Sequence, residues 1–184
     1  MENLNRLIQE LCNLPSETAY VEFKHDNYTP DMIGKDISAL ANSAALFEKR
    51  NAYMIWGIAD KTHSLIGTDK DLQTIKKGGQ ELENWLHSML SPNADFEYQT
   101  TTVSEKTIGV LTISAAAAQT VTFQKEDYIR IRSYTKKLRH YPAIKAKLLH
   151  KLRNENFEAR LALTDLPLAT ALQKLDISTY FDLL

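Results

Sequence analysis

Ala52-Tyr53-Met54-Ile55-Trp56-Gly57-Ile58 is nearly all apolar. A run this short and this apolar predicts a strand buried on both faces. On its N-terminal side, Thr29-Pro30-Asp31 has the form of a helix start, with Thr29 as N-cap and Pro30 in the first turn. Ile33, Ile37, Leu40, Ala41 and Ala44 then give a core-facing stripe to about residue 46. Before that helix, Tyr20-Val21-Glu22-Phe23-Lys24 alternates and predicts a strand, preceded by an amphipathic helix over 2–13. After the apolar strand, Ser64-Leu65-Ile66 reads as a short return strand and residues 71–90 as a helix, weakened at Gly78-Gly79. Residues 95–103 and 107–113 read as a hairpin, and 120–124 and 127–132 as short strands. From Pro142 onward the pattern is helical, over 143–154, 165–174 and 177–183.

The order of elements predicts an α+β fold: a mixed or antiparallel sheet flanked by helices, with a helical C-terminal extension. The expected division is 1–141 for the domain and 142–184 for the extension. The apolar end at Leu183-Leu184 leads us to expect a fragment of a longer chain.

The chain has 184 residues, 43% hydrophobic and 24% charged, which is a globular composition. Its net charge of -1 excludes a uniformly basic coat protein. A single cysteine, Cys12, excludes an internal disulfide and a Cys-rich zinc site. The five histidines lack zinc spacing, and no phosphate-binding glycine loop occurs, so ATPase chemistry has no support. The N-terminus lacks an apolar signal region, and no membrane span is read, so a cytoplasmic location is expected.

Charge is unevenly distributed. Residues 125–153 hold ten Lys and Arg against Glu126 and Asp127, a local +8 that leaves -9 to the rest of the chain. Tyr128, Tyr134 and Tyr141 interleave with these cations. Such a strip can hold a phosphate backbone and stack unpaired bases. Arg130 and Arg132 alternate with Ile129 and Ile131, so both are expected on one strand face. The candidate nucleic-acid contacts are Arg130, Arg132, Lys136, Lys137 and Arg139.

A second constellation is acidic. Glu17 and Glu22 lie five apart, around the start of the first strand, and Asp60 follows the apolar strand. If those strands are neighbours, three carboxylates could share a Mg²⁺ or Mn²⁺ ion. Lys24 shares a strand face with Glu22 and could stabilise charge on a phosphate, although the pair also reads as an exposed ion pair of little worth.

Several motifs in order carry a family resemblance. Glu17-Thr-Ala-Tyr-Val-Glu22-Phe23-Lys24, Ala39-Leu40-Ala41-Asn42, Gly57-Ile58-Ala59-Asp60, Leu65-Ile66-Gly67 and Tyr128-Ile129-Arg130-Ile131-Arg132-Ser133 together resemble the Schlafen-type AlbA domain. The resemblance covers roughly residues 14–141 and implies a bacterial DNA-binding or transcriptional-regulator protein. It also implies an alternative: a metal-dependent endoribonuclease on structured RNA, with Glu17, Glu22 and Asp60 as metal ligands and Lys24 beside them. A third possibility is a dimerisation or interaction module without catalysis, for which a homodimer is expected. The chain departs from the family pattern at Ala44-Ala45, where a glycine pair is usual, at Thr120-Val121 and at Arg132.

Overall fold

The computed structural model describes the backbone of residues 2–14, 18–60 and 62–158, with the side chains of those residues except 2, 3 and 154–158. The elements are α1 (Glu2–Cys12), β1 (Val21–Lys24), α2 (Pro30–Leu46), β2 (Asn51–Trp56), β3 (Lys76–Lys77), β4 (Gln80–Glu81), α3 (Leu82–Met89), β5 (Leu90–Ser91), β6 (Phe96–Val103), β7 (Lys106–Ser114), β8 (Thr122–Phe123), β9 (Glu126–Ile131), β10 (Tyr134–Lys137) and α4 (Pro142–Glu158). This is an α+β fold with two four-stranded sheets. The first runs β1-β2-β7-β6 and the second β10-β9-β8-β5. Only the β1–β2 pairing in the first sheet is parallel, matching Glu22 to Met54 and Lys24 to Trp56.

The two faces of the first sheet bury different partners. On one, Val21, Phe23, Ile55, Ile108 and Val110 pack with Ile8 and Leu11 of α1. On the other, Met54, Trp56, Leu111 and Ile113 pack with Ile33, Ile37, Leu40 and Ala44 of α2. α2 also meets the second sheet, so it is covered on nearly every side; all but four of its seventeen residues are buried. A helix between two sheets has to be apolar or internally satisfied all round. Gly34 lets it come close: a Cβ there would stand 2.1 Å from the Phe123 ring.

The polar residues of α2 act as a substitute strand. Asn42 donates to the carbonyls of Val121 and Tyr128, both at 2.9 Å, and accepts from Val121 N–H at 2.8 Å. The Ser38 hydroxyl donates to Val121 O and accepts from Tyr128 N–H, while Ser43 Oγ accepts from Arg130 N–H. β8 pairs with β9 only at Asp127 and Glu126. Beyond that point the inner edge of β9 is satisfied by side chains of a helix, as buried backbone groups require.

Three expectations need correction. Residues 71–90 are not one helix: a 3₁₀ turn at Leu72–Thr74 is followed by the β3–β4 hairpin, and only Leu82–Met89 is helical. Gly78 and Gly79, at φ 61° and 83°, make the two-residue turn. Ser64-Leu65-Ile66 contributes a single bridge, Ile58 to Leu65. A strand at Tyr134–Lys137 was not expected, because its polar sequence has no apolar alternation. α4 begins where expected and buries Leu148 and Leu152 in the core that contains α2. The helices expected over 165–174 and 177–183 lie outside the described residues. Among the described residues no helix is long and apolar enough to cross a membrane.

Candidate functional site

The pleat of β1 turns Val21 and Phe23 toward α1, so Glu22 and Lys24 face α2. The expectation of an exposed pair therefore fails: Lys24 is 8% exposed. Its ammonium lies 2.6 Å from Glu22 Oε1 and 2.9 Å from Asp36 Oδ2 on α2. Glu22 Oε2 meets Nη2 of Arg130, which reaches in from β9 and is 3% exposed. The Thr135 hydroxyl of β10 donates to Asp36 Oδ1 at 2.6 Å and accepts from Arg130 Nη1 at 3.4 Å. Two carboxylates and two cations from β1, α2 and β9 thus form one neutral buried network. Burial alone would lower the Lys24 pKa, but Asp36 and then Glu22 overcome it and hold the ammonium above its ordinary value.

Of the expected metal ligands, Glu17 lies outside the described residues. Asp60 is exposed, in the turn that follows Ile58. Glu22 spends its oxygens on Lys24 and Arg130. No group of three or more His, Cys, Asp or Glu among the described residues could hold a metal ion.

The basic segment divides. Arg130 points inward and is committed to Glu22. Arg132 is exposed in the β9–β10 turn at φ 56°, so the two arginines do not share a strand face: the strand ends between them at Ile131. Lys137 and Arg139 both reach Glu126 Oε2, at 3.0 and 3.1 Å. Lys136 is exposed, with its ammonium 5.5 Å from the centre of the Tyr134 ring, itself 65% exposed.

Beside this strip lies an open groove of about 470 Å³. Lys136, Lys137 and His140 line one part, Met32 and Lys35 of α2 another, and Asp36, Tyr128 and Thr135 also contribute. The groove and the buried network meet at Asp36 and Thr135. Sequence reasoning missed Lys35, Asp36 and Thr135. Lys35-Asp36 reads as the solvated side of an amphipathic helix, and only the second sheet closing over α2 makes it otherwise.

The mixed sheet on a buried central helix, with acids and bases exchanged between β1, α2 and β9, is an architecture defined by long-range polar contacts. The model of the family described as Schlafen, AlbA_2 matches residues 17–139, about two-thirds of the chain, and the chain belongs to that family. Among solved structures it is similar to the DIP2311 protein of Corynebacterium diphtheriae, at 15% identity and a TM-score of 0.49, over 74% of this chain and 26% of that one. It is also similar to the N-terminal domain of a Nitrosomonas europaea protein named as related to the ATP-dependent DNA helicase RecG. That match has 24% identity and a TM-score of 0.41, over 61% of this chain and 72% of the other. The chain thus spans about a quarter of the DIP2311 chain. Nothing among curated proteins matches it.

Proposed function

We propose that the chain is a nucleic-acid-binding module that grips the phosphate backbone with the cations around the groove. The observation that carries this reading is convergence: Lys35 from α2 and Lys136 and Lys137 from β10 line one open groove. Arg132 and Arg139, both exposed, extend the positive surface along the chain. Membership of the Schlafen AlbA_2 family supports a nucleic-acid-related role. Arg130 supports the site only from within, by anchoring β9 to β1. In a transcriptional regulator such a module would supply the hold on DNA or RNA.

The test is fluorescence anisotropy with a labelled oligonucleotide across a salt series. Affinity should fall linearly in log–log form as salt rises. The double variant Lys136→Ala/Lys137→Ala should bind more weakly and reduce the salt slope by about 1 for each phosphate left without its lysine. Absence of binding at low salt, or binding indifferent to salt, rejects the reading.

A further inference from the structure

The groove has a floor as well as a rim. Asp36 and Thr135 form the polar floor, Met32 and Tyr128 supply apolar surface, and the lysines stand around it. Its volume falls within the range of about 300–1,000 Å³ typical of small-molecule sites. A phosphate grip needs only the cations. A duplex presents only base edges in its grooves, whereas an unpaired base can enter whole and reach the floor.

We propose that this groove captures an unpaired base of single-stranded nucleic acid, and that Asp36 selects bases presenting an amino group. The inference rests on the nucleic-acid reading above. A carboxylate only accepts hydrogen bonds and has about four lone-pair positions. Asp36 spends Oδ1 on the Thr135 hydroxyl at 2.6 Å and Oδ2 on the Lys24 ammonium at 2.9 Å. Oδ1 keeps a second lone pair for a donor entering from the groove. The N4 amino group of cytosine offers such a donor; uracil and thymine present a carbonyl oxygen at the equivalent position, which a carboxylate repels. Lys24 at Oδ2 and Thr135 at Oδ1 hold the carboxylate fixed in direction. Tyr134, whose ring already carries the Lys136 ammonium, offers the neighbouring base a stacking surface.

Short oligocytidylate, oligouridylate, their deoxy counterparts oligo-dC and oligo-dT, and a duplex of the same length are titrated against the wild-type protein at one salt concentration. The C series should bind about tenfold tighter than the U or T series and tighter than the duplex. The sugar series with the larger discrimination identifies RNA or DNA as the ligand. Equal binding of C and its partner base in both series, or duplex binding as tight as that of single-stranded C, overturns the inference and leaves the nucleic-acid reading standing. Absence of binding by every probe overturns both. Asp36→Asn should bring the C-to-U ratio to about one. Because Asp36 also supports the fold, Tyr134→Ala provides a second, exposed test. It should weaken single-strand binding about tenfold with duplex binding unchanged, and unaltered single-strand binding counts against base capture.

Discussion

Strand β9 carries two ion clusters, one at each end, and they behave oppositely. At its start Glu126 meets Lys137 and Arg139, whose side chains are 41% and 57% exposed. Near its end Arg130 meets Glu22, with Lys24 and Asp36 behind them, and each of these side chains is at most 12% exposed. The outer cluster lies in high dielectric, where each pair contributes at most about 1 kcal/mol and the partners exchange readily. The inner cluster has lost its water. Its charges stand only because each has an opposite charge beside it. Charge counted along the sequence gives Arg130 and Arg139 equal weight as binding residues. The fold buries one in an ion network and leaves the other exposed at the surface.

The largest expected effect comes from breaking the inner cluster. Arg130→Met leaves Glu22 buried with half its compensation, which should destabilise the protein by about 3–5 kcal/mol in chemical denaturation. Phe23→Ala, one residue along and on the opposite face of β1, should cost a similar amount, about 3–5 kcal/mol, through its cavity. The two can be told apart by repair. Replacing Glu22, Lys24, Asp36 and Arg130 together by Leu, Met, Leu and Met should regain most of the loss, because no buried charge remains. If the fourfold variant is no more stable than Arg130→Met alone, the network contributes something beyond compensation of its own burial.

This contrast also marks how far the sequence could be read. The alternation of β1, the apolar β2 and the Thr29-Pro30 start of α2 are local signals, and the elements they predict are present. The hairpin at Ser104-Glu105 was legible too, both residues having positive φ in a two-residue turn. What alternation does not report is whether the polar face meets water. Glu22 and Lys24 look like an exposed pair until a second sheet, brought in by residues about a hundred positions later, covers them. The burial of Asp36 and Arg130 has the same cause. Asn42 was legible as part of a motif, but its work, holding the backbone of Val121 and Tyr128, is again a long-range contact.

A smaller effect tests the protonation of the inner cluster. The carboxylates hold the folded-state pKa of Lys24 above the ordinary 10.5. A raised pKa of this kind contributes stability that is fully present below the unfolded value and is lost as pH rises through the folded one. The stability gap between wild type and Lys24→Met should therefore be constant through neutral pH and narrow above about 10.5. Tyr28 and Tyr98, pushed up by burial, also weaken the fold at alkaline pH, but in both proteins alike. A gap that does not narrow would mean that the ammonium gains nothing from Asp36 and Glu22.

The smallest effect on stability belongs to the outer cluster, and it should have the opposite sign for binding. Glu126→Gln removes the carboxylate shared by Lys137 and Arg139. The side chains of Lys137 and Arg139 are 41% and 57% exposed, so the melting temperature should reflect a loss of at most about 1 kcal/mol. The released cations lose the carboxylate they share, and a phosphate can take its place. Affinity for an oligonucleotide at low salt should rise, with a steeper salt dependence, since Glu126 no longer competes. Unchanged affinity would place Lys137 and Arg139 outside the interface and leave Lys35 and Lys136 as the gripping cations of the groove. In the inner cluster loss of one charge harms the fold, whereas in the outer one loss of an acid should improve the grip, because there the remaining cations are exposed.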